Sequence, residues 1–409
     1  MQRPLEGVRV LDLTIWQQGT YATAMLADLG ADVIKVEERG SGDPGRYAWV
    51  APDTGLSSYF EAHNRGKRSI ALDLKHPLGR DAFLRLVGRC EVMVNNFRIA
   101  AIGRLGLDFA SVSAANPAIV YVQASGYGPA GEDCDLGAFD FLAQARGGFA
   151  STNGEPDDPP LPAQVPIADQ AGALHVAIAA LSGLVSARAT GRAIRLDTSL
   201  LGSQLSLQSF DITQHLFSQK LRPRSMRGGS RPFWRLYRAG DGHWFVIGML
   251  LERAWPEITH VIGRPEIAAD PRFDTFRKRT GDHAADLIAI LDEAFLAATA
   301  REWVDRLNGI GLFAALVQDY AEVAADPQVR ANGYIHDVPR PGHDAVQLVG
   351  SGIAVDGEPL TVRHLSPHLG EHTEALLLEA GYTWEEIVDL RDAGIAGPQT
   401  ERKARDEQP

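Results

Sequence analysis

One stretch of this 409-residue chain combines a candidate reactive group with the element that would carry it. Ile167-Ala168-Asp169-Gln170-Ala171-Gly172 opens a long apolar segment rich in small residues. Leu174, Ile178, Leu181 and Val185 recur at spacings of four, three and four, the stripe of a buried helix. Asp169 then lies at or just before the helix start, where unpaired N–H groups and the helix dipole favour negative charge. Two roles are open from this window. Asp is among the best N-caps, and capping is the commoner use. Held ionised by the helix end and aimed into a pocket, it would serve as a nucleophile.

The elements before it form a series. Val8–Thr14 is an apolar strand of the kind buried on both faces. Ile15–Gly19 is a turn, Thr20 is placed to cap a helix over Tyr21–Leu29, Gly30 to stop it, and Asp32–Glu37 is a second strand. Together they make a right-handed βαβ unit. Further strands fall at Arg68–Leu74, Glu91–Asn95 and Ala118–Ala124, with a helix over Pro77–Gly88. The alternation predicts a doubly wound α/β fold, whose ligands bind at the carboxyl ends of the strands. That singles out Gln17, Gln18, Leu74, Lys75, Asn96, Phe97, Arg98 and Ser125–Gly128.

Between His63 and Arg104 nine Lys or Arg face three acids, inside a chain of net charge −12. Lys75, Arg98 and Arg104 follow strand ends and suit a small, highly phosphorylated ligand, with Asn96 and Phe97 offering a polar contact and a stacking face. NAD is not expected. The first turn has Gly19 alone where G-x-G-x-x-G is needed, although Glu37 stands where a ribose-binding acid would. Gly126–Gly131 matches that pattern without a helix behind it, and reads either as a loop bringing N–H groups to an oxyanion or as a plain surface loop.

After the central helix come a strand (Ile194–Thr198), a helix (Leu201–Ser218) and a linker around Gly228-Gly229. A hairpin of Trp234–Arg238 and His243–Gly248 then opens a smaller α+β domain with helices near Glu252–Ile262, Ala284–Ala298 and Ala300–Leu307. A final helix is expected over Glu371–Ala380. The acidic balance excludes a general nucleic-acid binder. Cys90 and Cys134 fit neither a metal spacing nor a disulfide framework. The apolar window Gly172–Ala187 is shorter than the roughly 20 residues of a membrane span. No signal peptide follows Met1–Glu6, so the expected location is cytoplasmic.

These motifs together resemble the class III CoA-transferases, the formyl-, carnitine- and bile-acid CoA-transferase type. The likeness is carried by Gly7–Asp12, Gly30–Glu37, Asn64–Lys75, Val94–Phe97, Ser125–Gly128, the Asp169 helix, Ala325–Val329 and Leu369–Thr373, nearly the whole chain. It implies a Rossmann-like large domain (1–220 and 334–409), an inserted small domain (221–333), and a homodimer of two interlocked rings. Asp169 matches the family's nucleophile. Gln17, Gln18, Arg39, Leu72, Asp73, Leu74, Lys75, Asn96, Phe97, Arg98, Arg104, Phe139 and Asp140 match CoA-holding positions, and Gly126 and Gly128 are the oxyanion candidates. The implied chemistry moves CoA from an acyl-CoA donor to a carboxylic acid acceptor, through an aspartyl anhydride and an aspartyl–CoA thioester, with no metal.

Three departures point away from formate and oxalate, toward a different, larger acid. Glu38 replaces an arginine, with Arg39 adjacent. Phe139 replaces a tyrosine. Met249–Glu252 stands where a glycine-rich loop would be. The same fold hosts α-methylacyl-CoA racemases, but their histidine would fall near Phe139, and His175 reads as a packed core residue. A non-catalytic acyl-CoA-binding protein would tolerate loss of the Asp169 carboxylate. A Ser hydrolase lacks its G-x-S-x-G.

Overall fold

The computed structural model describes residues 2–399 apart from 222, 223, 226, 228–230 and 249–253. The linker glycines Gly228 and Gly229 and the Met249–Glu252 segment therefore lie outside the described residues. The chain divides into two compact units, one of residues 1–149, 162–216 and 327–409, the other of 150–161 and 217–326.

The larger unit is built on six parallel strands: β1 (Arg9–Leu13), β2 (Asp32–Glu38), β3 (Arg68–Leu72), β4 (Val92–Asn95), β5 (Val120–Ser125) and β6 (Ile194–Ser199). Their order is β3-β2-β1-β4-β5-β6. β4 and β5 are buried throughout, as expected of strands covered on both faces. Helices α1 (Gln18–Asp28) and α7 (Ile167–Thr190) cover one face through Ala22, Met25, Leu26, Ala173, Val176 and Ala180. The other face carries α3 (Pro77–Val87), α5 (Phe109–Ala115), α15 (Thr373–Glu379) and α16 (Trp384–Asp392), through Phe83, Val112, Leu376 and Ile387. The strand order reverses between β1 and β4, and the crevice outside their carboxyl ends is where such sheets bind ligands.

The structure corrects several local expectations. Thr20 lies inside α1 and does not cap it. Its hydroxyl turns back to the Trp16 and Gln17 carbonyls, and Gln17 is the N-cap residue without a side-chain bond. The predicted helix over Leu201–Ser218 breaks at Gln208 into α8 (Leu200–Leu207) and α9 (Ser209–Ser218). Helix α15 is not the last, because Thr383 and Glu386 form a capping box that starts α16.

The stripe on α7 also faces the other way. Leu174, Ile178 and Val185 are 52%, 61% and 73% exposed, while Ala173, Val176, Ala177, Ala180, Gly183 and Leu184 are buried. The sheet selects the small side chains because they allow a close approach: a Cβ on Gly183 would collide with Val120 and press on Leu196. α7 has the length and composition of a membrane span, yet just over half of its apolar window is buried as the core helix of this layer.

The smaller unit packs α10 (Trp255–Val261), α11 (Ala284–Ala294) and α12 (Ala300–Gly309) with an antiparallel sheet of β7 (Trp234–Arg238), β8 (Trp244–Gly248) and β9 (Ala314–Leu316). Its core is aromatic, with Tyr237, Phe245, Phe273, Phe295 and Trp303 all fully or nearly fully buried.

Candidate active site

Asp169 is the third residue of α7 and does not cap it. The capping is done from outside the helix. Asp140, the first residue of α6 (Asp140–Arg146), accepts through Oδ1 from the N–H groups of Ala168 at 2.7 Å and Asp169 at 3.1 Å. Its Oδ2 accepts from Gln144 Nε2, and Gln144 holds Ala163 by both backbone groups. With the orphan amides satisfied by another carboxylate, the Asp169 side chain is left to itself. Burial, and then the charge of Asp140, push the Asp169 carboxyl up to about 7. The expectation that the helix end keeps Asp169 ionised is thereby corrected: that end is already compensated by Asp140.

The loop from β1 into α1 approaches the same turn. Gly172, one turn into α7 from Asp169, leaves room for Gln18, and a Cβ there would come 2.9 Å from Gln18 Nε2. Gln17 and Gln18 are buried, and neither Nε2 finds a hydrogen-bond partner among the described residues. A buried amide without a partner is costly, so donors left open here suit an oxygen that arrives with a ligand. Gly172→Ala should displace the Gln18 amide and cut turnover about tenfold or more while leaving the fold intact. Steady-state rates and melting curves of that variant would check both halves.

A fixed polar frame holds this loop. Asn96 accepts from Ile15 N–H at 2.9 Å and donates to the Ile15 carbonyl at 2.7 Å. One donor and one acceptor of its amide thus hold the loop. Trp16 is in the left-handed region (φ 62°), with its N–H on Asp43 Oδ1 at 3.3 Å. Trp49 is left-handed too (φ 47°). Strained non-glycine backbone of this kind gathers at functional sites.

The two tryptophans flank Tyr59 of α2 (Ser58–Asn64), with ring centroids 6.3 and 5.2 Å from it. Tyr59 stands in the field of Asp169: burial first, then Asp169 and Asp43, raise its phenol above the ordinary range. His63 packs behind it, its ring tilted and 4.4 Å away, and burial takes its imidazole down to about 4, so it is neutral at pH 7. Sequence reasoning missed this aromatic wall. Only Trp16, in a post-strand turn, carried a signal that could have marked it.

The remaining candidates line the strand ends. Leu72 is buried, and Asp73 closes a turn onto Lys75 N–H at 2.9 Å. Leu74 and Phe97 pack against the core, which leaves Phe97 less free to stack than expected. Arg39 donates to the Gly397 carbonyl at 3.0 Å. Lys75 pairs with Glu38 at 3.0 Å, both well exposed. Arg98 and Arg104 are exposed and make no ion pair among the described residues.

Other cations of the same basic stretch are paired with acids from outside it. Arg65 pairs with Asp28, Lys67 with Asp12, and Arg68 with Asp32 and Glu379. Glu37 is no ribose ligand, since Arg46 and Ser69 occupy it in a buried site. Of the glycine candidates, Gly128 already donates its N–H to Ser125 Oγ at 3.0 Å, so it offers no oxyanion donor as it stands. Gly126 packs under Ala138, close to the start of α6. Phe139 is 64% exposed. His175 is only partly buried and bonds the Ala171 carbonyl, not the core setting expected of it. Among the described residues no cluster of three or more His, Cys, Asp or Glu could hold a metal.

The architecture is thus a doubly wound α/β protein with a perturbed carboxylate and open amide donors near the reversal of strand order. The chain belongs to CoA-transferase family III, whose family model matches residues 5–373. It is 31% identical to a formyl-CoA:oxalate CoA-transferase of Rhodopseudomonas palustris, over 97% of this chain and 98% of that one. It is 30% identical to the human succinyl-CoA:glutarate CoA-transferase, over 96% of this chain and 90% of that one. Among solved structures it is similar to a CAIB/BAIF family protein from Brucella suis, with a TM-score of 0.83 and 31% identity over 93% of this chain and 100% of that one. CoA thioesters are the substrates this family implies.

Proposed function

We propose that this protein moves CoA from an acyl-CoA thioester to a free carboxylic acid, with Asp169 as the nucleophile that is acylated in passing. The observation that carries the reading is the state of Asp169: relieved of capping by Asp140, half-buried, and shifted to about 7. A carboxylate of that basicity attacks better than an ordinary one and is still about half ionised at neutral pH.

The steps follow from the bonds. An Asp169 oxygen adds to the thioester carbonyl, the C–S bond breaks, and CoA leaves as thiolate from a mixed anhydride. The thiolate then attacks the Asp169 carbonyl of that anhydride, which frees the donor acid and leaves an aspartyl–CoA thioester. The acceptor carboxylate attacks this thioester and expels the thiolate. The thiolate next attacks the acceptor's carbonyl in the second anhydride, yielding new acyl-CoA and restoring Asp169. Each addition places charge on a carbonyl oxygen, and the Gln17 and Gln18 amides are the donors assigned to it. Arg98, Arg104 and Arg39 are assigned to the phosphates of CoA. Leu72–Lys75 and Asn96–Phe97 shape the walls of that cleft.

Two further parts belong to this reading. The exposed apolar face of α7 (Leu174, Ile178, Val185) and Phe210 and Phe217 of α9 are covered by a second copy, in the interlocked homodimer with its inserted small domain. The acceptor is an acid larger than formate or oxalate: Glu38 is tied to Lys75, and Phe139 presents an apolar ring where a tyrosine hydroxyl is expected.

The test is a peptide mass spectrum after incubation with acetyl-, succinyl- and benzoyl-CoA, quenched with hydroxylamine. A hydroxamate on the Asp169 peptide is the expected result. An unmodified peptide with every donor, while CoA exchange proceeds, would sink the mechanism.

A further inference from the structure

Resting on the assignment of Asp169 as the nucleophile, we propose that Asp140 is a positioning residue that fixes the first turn of α7 and sets the pH range in which Asp169 attacks. The geometry makes one oxygen do two things. Asp140 Oδ1 accepts from the N–H of Ala168 and of Asp169 itself, so it holds the backbone that carries the nucleophile. It also places a second negative charge on the helix end that would otherwise stabilise an Asp169 anion.

The clamp extends outward. Gln144, one turn along α6, donates to the other Asp140 oxygen, and it grips the Ala163 N–H at 2.8 Å and carbonyl at 3.2 Å, three residues before Pro166. Ala143 of α6 and Leu200 of α8 pack on Ala168. The entry into α7 is therefore fixed from both sides by α6.

The other groups that bear on Asp169 are uncharged near neutral pH. From α1 and its entry come the amides of Gln17 and Gln18. From α2 comes the Tyr59 phenol, raised by burial and by Asp169 and Asp43, with neutral His63 behind it. Leu200 of α8, which packs with the neighbouring Ala168, is apolar. Asp140 is the charged group whose field acts on Asp169, in the direction of keeping its proton. A carboxylate resembling a CoA contact by its position is thus consumed by the helix, and its effect on the chemistry passes through Asp169.

The test is the rate at which acyl-CoA modifies Asp169 without acceptor, followed by quenched-flow peptide mass spectrometry from pH 5 to 9. In the parent the rate rises with a midpoint near 7. In Asp140→Asn, which keeps an acceptor for the two amides but not the charge, the midpoint falls by about one unit or more and the plateau rate drops severalfold. Asp140→Glu, which keeps the charge, restores a midpoint within about half a unit of the parent. Should Asp140→Asn fail to fold, Asp140→Ser carries the same expectation. A folded neutral variant with an unshifted midpoint overturns the role of Asp140 alone. If Asp169 is not modified in the parent at any pH, the proposed function falls with it, so the two failures are told apart.

Discussion

Asp169→Asn should lower CoA exchange by about a thousandfold or more, because the covalent route loses its nucleophile. The same variant should bind acyl-CoA within a few-fold of the parent and be the more stable protein above neutral pH. The sign of the stability change follows from the shift. The folded Asp169 carboxyl titrates near 7, above its ordinary value, so between about 4 and 7 the native state holds a proton that the unfolded chain has released. Stability from this group is fully present below about 4 and is lost as pH rises through 7. An Asn side chain resembles the protonated acid and escapes that loss. Its advantage at pH 8 should be roughly 2–4 kcal/mol, vanishing toward pH 4. Rates measured beside urea melts at pH 5 and pH 8 decide the matter. A helix cap would behave differently, since Asn caps as well as Asp: transfer would continue and the two melts would shift alike.

Much of the scaffold was legible because parallel strands write themselves as apolar runs. Val92–Asn95 and Val120–Ser125 are buried end to end, and the carboxyl end of the first carries polar residues that the strand order places at its reversal. Partners distant in the chain were not legible. Asp169 and Asp140 are 29 residues apart, and no spacing rule connects the start of one helix to the start of another. From its own window the aspartate resembled a cap, and only the fold shows another carboxylate already doing that work. The pairing of the other cations between His63 and Arg104 is hidden for the same reason. Local counting registers Arg65, Lys67 and Arg68, but Asp28, Asp12, Asp32 and Glu379 neutralise them from outside the window. Periodicity on α7 told correctly which residues share a face, but not what the face meets. The sheet took the alanine and glycine side, where Gly183 seats against Val120, and the bulky residues were left outward. The use made of backbone donors is equally hidden. Gly128 has the positive φ of 104° that a loop glycine supplies, yet its N–H belongs to Ser125.

Lys67→Met should destabilise the larger unit by about 3–5 kcal/mol, because it leaves a buried carboxylate without its hydrogen-bonded cation. Lys67 and Asp12 are fully buried and 2.8 Å apart. All three ammonium donors are used: on Asp12 Oδ2, on the Thr20 carbonyl, and on Asn64 Oδ1, each at 2.8 Å. Burial alone would raise Asp12, but the charges of Lys67 and Lys35 with the Lys67 and Thr14 hydrogen bonds hold it below the ordinary carboxylate range. Its contribution is therefore present above about pH 4 and fades as acid protonates it. Methionine fills much of the same space and supplies none of the donors, so Asp12, the Thr20 carbonyl and Asn64 all lose a partner in a dry site. The damage reaches the chemistry through α1. Thr20 lies two residues beyond Gln18, and Asp12 also holds Thr23 at 2.7 Å, so the frame that presents the glutamine amides loosens at two points. Urea melts at pH 7 should show a lower midpoint, and turnover should fall even where the variant remains folded. Asp12→Leu combined with Lys67→Met should recover part of the lost stability, since removing both charges abolishes the uncompensated one. Equal melts for the parent and Lys67→Met would mean that this buried pair does not hold the loop on which Gln17 and Gln18 depend.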